Sequence, residues 1–289
     1  MKKRGGFFKS NWAYLIWFAI YFSIAVLIFK CFENNIWLCV LYSSILYGGS
    51  IGLALSSLGE ILLRLTEGLN KIETQEDKDY LLPIFEDVYT DALSFTPSLN
   101  KNIKLYVLET MTVNAFAIGR KTIAVTRGAI NTFSRDELKG ILSHEFGHMA
   151  NGDTKALLFN VVGNGFFSII VLILRFIMLF IQNLMLALTK KNLIMIIFAF
   201  VSFVCRLFVD ISIFTFIFSG NIILALNSRY CESLADEFAF QIGYGFELKE
   251  ALYLLNKISM SSKATIKERL MSSHPHTTSR IERLETLGA

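Results

Sequence analysis

Ser143-His144-Glu145-Phe146-Gly147-His148 places two of the chain's four histidines four positions apart. On a helix, residues with this spacing share a face, so both imidazoles can reach one metal ion. Glu145 lies about 100° around the helix from His144, where its carboxylate can approach a metal-bound water rather than the metal. The segment therefore predicts a helix that carries two zinc ligands, His144 and His148, and a general base, Glu145.

A catalytic zinc site needs a third protein ligand. The three-histidine pattern would require Gly at position 151 and His at position 154, and the chain has Asn151 and Thr154 there, which excludes it. The best candidate is Glu232, on a second predicted helix. Asp236 follows on the same helical face and could accept a hydrogen bond from a ligand histidine. Solvated surface positions are the alternative interpretation of both carboxylates.

The residues around this motif predict mixed secondary structure. Ser134-Arg-Asp-Glu137 is a capping box, which marks the start of the motif helix. Leu82–Leu93 has a helical pattern. Asn102–Leu108 alternates apolar and polar residues, and Lys121–Thr126 is rich in β-branched residues, so both are predicted strands.

The composition predicts two environments in one chain. The 289 residues are 53% hydrophobic and 18% charged, with a mean hydropathy of +0.49. Ordinary soluble domains carry about 45–50% apolar and about 25% charged residues. These values exclude a disordered or collagen-like chain. The net charge of +4 comes without a basic stripe, so no nucleic-acid partner is expected.

Two long uncharged runs near the N-terminus predict a membrane hairpin. Trp12–Phe29 has 18 residues and Asn34–Gly59 has 26, and about 20 residues cross a bilayer as a helix. A cleaved signal peptide is the competing interpretation of the first run. It is disfavoured because no small-residue cleavage site follows and a second span comes at once. The basic opening Met1-Lys2-Lys3-Arg4 places the N-terminus in the cytoplasm by the positive-inside rule.

A second apolar segment, Ala156–Ser228, predicts another membrane hairpin. Two long helices are expected, joined near Lys190-Lys191. A charge in lipid is costly and is normally paired. Asp210 is therefore predicted to pair with Arg175 or Arg206.

The motif and its surroundings resemble the HtpX family of membrane zinc proteases, bacterial and archaeal relatives of the CAAX prenyl proteases. The resemblance rests on His144-Glu-Phe-Gly-His148-Met-Ala-Asn-Gly-Asp153, a following two-span hairpin, and Glu232-Ser-Leu-Ala-Asp236. It covers nearly the whole chain. It implies a mainly α, multi-pass membrane protein with four transmembrane helices and a cytoplasmic, zincin-like α+β metalloprotease domain that a membrane hairpin splits.

The expected division of the chain follows this arrangement. Residues 1–59 form the first hairpin, and residues 60–155 form a cytoplasmic catalytic part with the motif helix. Residues 156–228 form the second hairpin, and residues 229–289 form a catalytic part with the third zinc ligand. Two placements stay open for residues 176–205: they extend the second hairpin or lie in the outer interface.

One further stretch, Asn114-Ala-Phe-Ala117-Ile-Gly119, resembles the family segment beside the active-site cleft. The resemblance implies that Asn114 and Ala115 bind the substrate backbone along a strand edge. A plain strand is the alternative interpretation.

Another stretch, Ser273-His274-Pro275 followed by Arg280-Ile281, resembles the C-terminal signature of the family. It implies that His274 is a catalytic residue that stabilises the oxyanion. The chain has His276 where a second proline is common, so either histidine could face the site, and His274 is favoured.

The resemblance implies a zinc endopeptidase with one zinc ion per chain. Its expected partners are protein or peptide substrates, chiefly membrane proteins, and the lipid bilayer. Its expected role is quality control of misfolded membrane proteins at the cytoplasmic face of the inner membrane. A processing protease for a membrane-anchored or lipidated peptide and a non-catalytic zinc-stabilised scaffold are the alternatives. A homo-oligomer is compatible with the sequence.

Overall fold

The structure, a computed structural model, describes residues 11–155, 172–173, 175–184, 187, 193–261 and 277–289. In these ranges the chain is mainly helical and contains a four-stranded sheet. The start of the predicted second hairpin, the predicted turn at Lys190-Lys191, and both His274 and His276 lie outside the described residues.

Helices α1 (Trp12–Lys30) and α2 (Ile36–Leu55) form an N-terminal hairpin. α1 covers the first predicted run, whereas α2 ends four residues before the end of the second run at Gly59. Among the described residues, these are the two helices long and apolar enough to cross a membrane. They pack through aromatic side chains, with the rings of Phe18 and Tyr47 5.4 Å apart and edge to face. Many of their other apolar side chains are exposed, as lipid-facing helices require.

Helix α3 (Ser57–Thr66) follows α2 after a bend at Ser56, whose backbone is extended (φ −78°, ψ 165°). The Ser56 hydroxyl accepts a hydrogen bond from the Gly59 backbone N–H at 3.3 Å and so caps the new helix. A Cβ on Gly59 would lie 2.5 Å from the Leu53 carbonyl oxygen. The bend therefore depends on glycine at position 59.

The sheet has the strand order β1-β2-β4-β3, formed by β1 (Asn70–Lys71), β2 (Lys104–Leu108), β3 (Ala115–Ile118) and β4 (Thr122–Thr126). Strands β2 and β4 are parallel, whereas β1 and β3 run antiparallel to their neighbours. The two predicted strands are confirmed as β2 and β4. β4 is buried along its whole length because it lies between two other strands.

Glu60 of α3 attaches the N-terminal hairpin to this sheet. Its buried carboxylate accepts hydrogen bonds from the Lys121 backbone N–H at 2.7 Å and from the Thr122 hydroxyl at 3.0 Å. A buried carboxylate is costly unless it is hydrogen-bonded, so this contact fixes α3 at the start of β4.

Helix α4 (Gln75–Phe95) lies between β1 and β2 in the chain, and α5 (Arg127–Thr132) and α6 (Arg135–Asn151) follow β4. α4 contains the predicted helical segment Leu82–Leu93. α6 carries the histidine motif and begins at the predicted capping box, in which both reciprocal hydrogen bonds between Ser134 and Glu137 are present. The start of the motif helix is therefore confirmed.

The core lies between the sheet and these helices, and Phe146 of the motif is at its centre. Phe146 is fully buried, and its ring stacks on Tyr89 at 5.4 Å and contacts Phe85 at 5.6 Å. Burying an aromatic side chain of this size contributes strongly to stability. Phe146 therefore packs α6 against α4.

Helices α7 (Arg175–Leu184) and α8 (Leu193–Gln241) come from the second apolar segment. Asp210 accepts a hydrogen bond from Arg175 at 2.7 Å and lies 3.7 Å from Arg206, which confirms the predicted ion pair. α8 has 49 residues and a length of about 73 Å, more than twice the hydrocarbon core of a bilayer. It continues without interruption from the apolar segment into the region of Glu232.

In the part of the chain that the structure describes after α8, helices α9 (Gly245–Ser261) and α10 (Thr277–Leu287) close the domain over α6 and α8. α9 approaches α6 at Gly140, where a Cβ would lie 2.3 Å from the Leu248 backbone nitrogen. α10 buries Leu284 in the same core. These contacts place the C-terminal helix beside the histidine motif.

Candidate metal centre

His144 and His148 lie on one face of α6, and α8 brings Glu232 opposite them. The Nε2 atoms of the two histidines are 3.1 Å apart. Glu232 Oε2 is 3.3 Å from His144 Nε2, and Glu232 Oε1 is 3.3 Å from His148 Nε2. All three side chains are buried, and together they form a group that could hold a metal ion.

The donor groups of these three residues lie about as far apart as the ligands of a zinc ion. A tetrahedral zinc ion with bonds of about 2.0–2.1 Å separates its donor atoms by about 3.3 Å. The two Nε2 atoms are 3.1 Å apart, and each is 3.3 Å from a different oxygen of the Glu232 carboxylate, so each of these separations is close to this value. Two imidazoles and one carboxylate are also a donor set of catalytic zinc sites. The residues therefore fit zinc.

The charges around the site also favour a divalent cation. Among the described residues, the four carboxylates of Glu145, Asp153, Glu232 and Asp236 are each at most 8% exposed, and Arg280 is the buried cation beside them. Buried charges are costly unless opposite charges compensate them. A dication would offset most of this excess negative charge.

Each histidine of the group contacts a carboxylate through its other ring nitrogen. His144 Nδ1 is 2.9 Å from Asp236 Oδ1, and His148 Nδ1 is 3.0 Å from Asp153 Oδ2. An Nδ1–H that donates to a carboxylate leaves Nε2 available as a metal ligand and fixes the ring orientation. The contact of Asp236 is the one predicted from helical spacing, whereas the contact of Asp153 was not predicted.

Asp153 reaches His148 because α6 ends in a glycine turn. Gly152 adopts φ +84°, a left-handed conformation that favours glycine, and turns the chain back toward the helix. The residue after this turn is Asp153. An aspartate directly after a helix-ending Asn-Gly pair is the sequence signal that could have identified this partner.

Arg280 of α10 contacts the two buried carboxylates of α8, Glu232 and Asp236. Its guanidinium makes two hydrogen bonds to Asp236, at 2.7 and 2.9 Å, and an ion pair with Glu232 at 3.0 Å. Burial acts to raise the pKa of Asp236, but Arg280 and His144 lower it to about 2. Asp236 is therefore ionised at neutral pH. The sequence pattern around Arg280 does not predict this role.

The same carboxylates attract positive charge to the histidines. Burial acts to lower the pKa of His148, yet Asp153 and Glu232 raise it well above its usual value. Burial and Arg280 act to lower the pKa of His144, and Asp236 and Glu232 raise it. The site is thus built to hold a cation.

Glu145 belongs to the same buried group. It follows His144 on α6, is 2% exposed, and its charge acts on both His148 and Arg280. A carboxylate beside the ligand histidines, and outside the group of three that could bind the ion, suits a proton acceptor. The structure places the predicted base at the predicted ligands.

The predicted substrate residues lie at an edge of the sheet. Asn114 precedes β3, and its backbone N–H donates to the Thr126 hydroxyl at 3.0 Å. Ala115 begins β3 and pairs with Val125 of β4. In the described part of the chain, β3 pairs with β4 alone, and it contacts α6. His274, outside the described residues, stays a predicted oxyanion-stabilising residue.

Close contact between α6 and α8 depends on Gly147, which directly precedes the ligand His148. A Cβ there would lie 2.8 Å from Ala235 Cα and 2.9 Å from the Ala235 carbonyl oxygen. Ala235 stands between Glu232 and Asp236 on α8. The absence of a side chain at position 147 therefore lets both carboxylates reach the histidines.

Gly147→Ala is expected to separate α6 from α8 and to displace Glu232 and Asp236. Overpacking of this kind costs about 1–3 kcal/mol and should also lower the bound zinc per chain. Thermal unfolding in detergent and metal analysis measure the two effects. Gly49→Ala is the matched control, because nothing lies within 4 Å of a Cβ at that position. Equal stability and zinc content in both variants would show that the close contact is not needed.

Comparisons with known proteins agree on one family. The profile of Peptidase family M48 matches residues 82–287. Curated relatives are named "Protease HtpX homolog". The one from Halobacterium salinarum is 33% identical over 165 residues, which cover 54% of this chain and 47% of that protein. The one from Bacillus licheniformis is 28% identical over 213 residues, which cover 67% and 66%.

Two further matches differ in coverage. A "Protease HtpX homolog" from Dictyoglomus turgidum is 27% identical over 150 residues, 48% of this chain and 46% of that protein. The chain thus spans about half the length of the Halobacterium and Dictyoglomus relatives. The crystal structure of S. mikatae Ste24p matches with a TM-score of 0.48 and 21% identity, covering 94% of this chain and 63% of that one.

Proposed function

This chain belongs to peptidase family M48, and we propose that it is a zinc-dependent membrane endopeptidase. His144, His148 and Glu232 hold one zinc ion, and Glu145 acts as the base. The observation that carries this proposal is the buried group of two histidine Nε2 atoms 3.1 Å apart, each 3.3 Å from one oxygen of the Glu232 carboxylate. Membership of a peptidase family and a donor set that suits zinc both support metal-dependent peptide hydrolysis.

The protein residues have distinct tasks in the proposed hydrolysis. Zinc bound by the three ligands supplies Lewis acidity for activating water and polarising the scissile carbonyl. The Glu145 carboxylate takes a proton from the attacking water and delivers it to the leaving amine. Asp236 and Asp153 hold the two histidine rings in position. His274 donates a hydrogen bond to the oxyanion.

The proposed substrate binds as an extended strand along β3. The backbone of Ala115, at the edge of the sheet beside α6, is suited to pair with a substrate strand. The backbone N–H and carbonyl of Asn114 are both bonded to Thr126, so Asn114 is proposed to contact the substrate through its side chain. Backbone pairing recognises an unfolded segment with little dependence on its side chains. This supports a role in cleaving misfolded proteins.

The position of the centre supports membrane proteins as substrates. α6 ends at Asn151, close to the start of the second apolar segment, and α8 runs from that segment to Glu232. The basic residues before α1 favour a cytoplasmic N-terminus, and two crossings by α1 and α2 return the chain to that side. The proposed role is quality control of membrane proteins at the cytoplasmic face of the inner membrane.

Removal of the metal tests the proposed activity. The purified 289-residue chain in detergent is expected to cleave itself or an added unfolded membrane protein when zinc is present. A chelator should stop cleavage, and added zinc should restore it. Gel electrophoresis and mass spectrometry of the fragments measure the result. A fully metallated chain that cleaves neither itself nor the added protein would instead favour the zinc-stabilised scaffold.

A further inference from the structure

Helix α3 carries an exposed apolar stripe that the proposed chemistry does not use. The stripe consists of Leu58, Ile61, Leu62 and Leu65, which are 62%, 39%, 54% and 72% exposed. Their spacing of i, i+3, i+4 and i+7 places all four on one face of the helix. Contiguous exposed apolar surface of this kind marks a site of contact with another apolar phase.

The opposite face of α3 is fixed to the sheet. Glu60 accepts hydrogen bonds from the Lys121 backbone and the Thr122 hydroxyl, and Arg64 donates a hydrogen bond to the Tyr106 hydroxyl at 2.5 Å. Rotating the helix to cover its apolar stripe would break these contacts. The stripe therefore faces away from the sheet.

The stripe begins where the second candidate membrane span ends. α2 ends at Leu55, and Ser56 redirects the chain so that α3 starts at the next residue. The apolar surface of α2 and the stripe are thus separated by a single bend. A helix with one apolar face directly after a span is suited to lie in the bilayer interface.

A polar cavity with two cations lies at the same end of the sheet. It has a volume of about 160 Å³, and its lining includes Arg120, Gly119 and Lys155. Lys121 follows Arg120 in this turn, and its backbone N–H donates a hydrogen bond to the Glu60 carboxylate. Thr154 donates a hydrogen bond to the Gly119 carbonyl at 2.6 Å and holds the turn against the end of α6.

The two cations of this cavity have no acidic partner among the residues that the structure describes. Burial lowers the pKa of Lys155, and the nearby charge of Arg120 lowers it further. Two cations on one polar cavity attract an anion, and the phosphate of an anionic lipid is the anion that a membrane surface offers.

We propose that α3 is an interfacial helix that seats the metalloprotease domain on the bilayer crossed by α1 and α2. The stripe lies among the acyl chains, and Arg120 and Lys155 bind headgroups of anionic lipids. This proposal rests on the proposed function only in requiring that α1 and α2 cross the membrane. This attachment, called the seat below, consists of the stripe together with Arg120 and Lys155. It holds the β3–β4 turn, and with it the substrate edge of β3, at the membrane surface.

Photocrosslinking of the 289-residue chain tests the seat. Benzoylphenylalanine replaces Leu62 or Leu65, and the protein is reconstituted in phosphatidylcholine vesicles with or without phosphatidylglycerol. Lys257, exposed on α9, is the water-facing control, and Leu53 of α2 is the control within the span. Lipid adducts at positions 62 and 65 are expected to exceed those at position 257 by on the order of tenfold, as measured by mass spectrometry.

The outcomes separate this proposal from the proposed membrane crossing. Adducts at position 53 without adducts at 62 and 65 overturn the seat alone. Crosslinks from 62 or 65 to a second copy or within the chain also overturn it, because they identify another occupant of the stripe. A lack of lipid adducts at position 53 overturns the membrane crossing by α2.

A second arm tests the headgroup contacts. Adducts at position 62 are expected to be enriched in phosphatidylglycerol over phosphatidylcholine. Combining Arg120→Gln with Lys155→Gln should remove this enrichment and leave the total adduct yield unchanged. An enrichment that persists in the double variant overturns the assignment of these two residues to anionic headgroups.

Discussion

Glu145→Gln should abolish peptide hydrolysis and leave zinc bound. Gln has nearly the same shape as Glu, so the buried packing around position 145 is kept. The amide cannot accept the proton that the attacking water must lose, and general bases contribute about 10²–10⁴-fold to rate. The three ligand side chains remain. Cleavage of an unfolded membrane protein and zinc content per chain are the two measurements.

Glu137→Gln is the matched control for this substitution. Glu137 lies in the first turn of the same helix, and a glutamine amide oxygen can preserve its capping hydrogen bond. This variant should cleave at the wild-type rate. A Glu145→Gln variant that also cleaves at the wild-type rate would remove Glu145 as the base. Loss of zinc from that variant would instead assign Glu145 to metal retention.

Arg280→Met should lower the free energy of unfolding by about 3–5 kcal/mol, the range for breaking a buried ion pair from one side. Methionine fills part of the space but leaves Asp236 and Glu232 without their shared cation. The loss should be larger with a chelator than with zinc, because a bound dication compensates the same carboxylates. Thermal or chemical unfolding in detergent measures both conditions.

Arg283→Met is the control on the same helix. Arg283 pairs with Glu237 at 3.2 Å, and both side chains are about one-third exposed. Exposed ion pairs contribute about 0–1 kcal/mol, so this variant should be nearly neutral. Arg280→Lys, which keeps the charge and loses the two-point contact with Asp236, should fall between the two. Equal unfolding of the Arg280→Met and Arg283→Met variants would show that the buried contacts do not stabilise the domain.

The sequence was informative where the structure depends on neighbouring residues. The start of α6, strands β2 and β4, and the two helices of the N-terminal hairpin follow from caps and from hydropathy patterns of a few to twenty residues. The pairing of Asp210 was predictable as well, because the cost of an unpaired charge among apolar residues leaves few partners.

The sequence was least informative about contacts between distant elements. Arg280 follows Asp236 by many residues along the chain, and nothing in its local pattern distinguishes it from a surface arginine. Arg280 is buried because α10 packs against α9 and α8. Asp153 is near the motif but reaches His148 through the left-handed turn at Gly152.

Local spacing is therefore enough to place His144 and His148 on one face of α6, because helix geometry repeats every few residues. Their meeting with Glu232, Asp236 and Arg280 depends instead on how closely whole helices approach. Backbone contact at Gly147 sets the α6–α8 distance, and the packing of α10 brings in the arginine. These contacts join residues far apart in the chain, and so the cation-binding centre exists in the packed domain and not in any single segment.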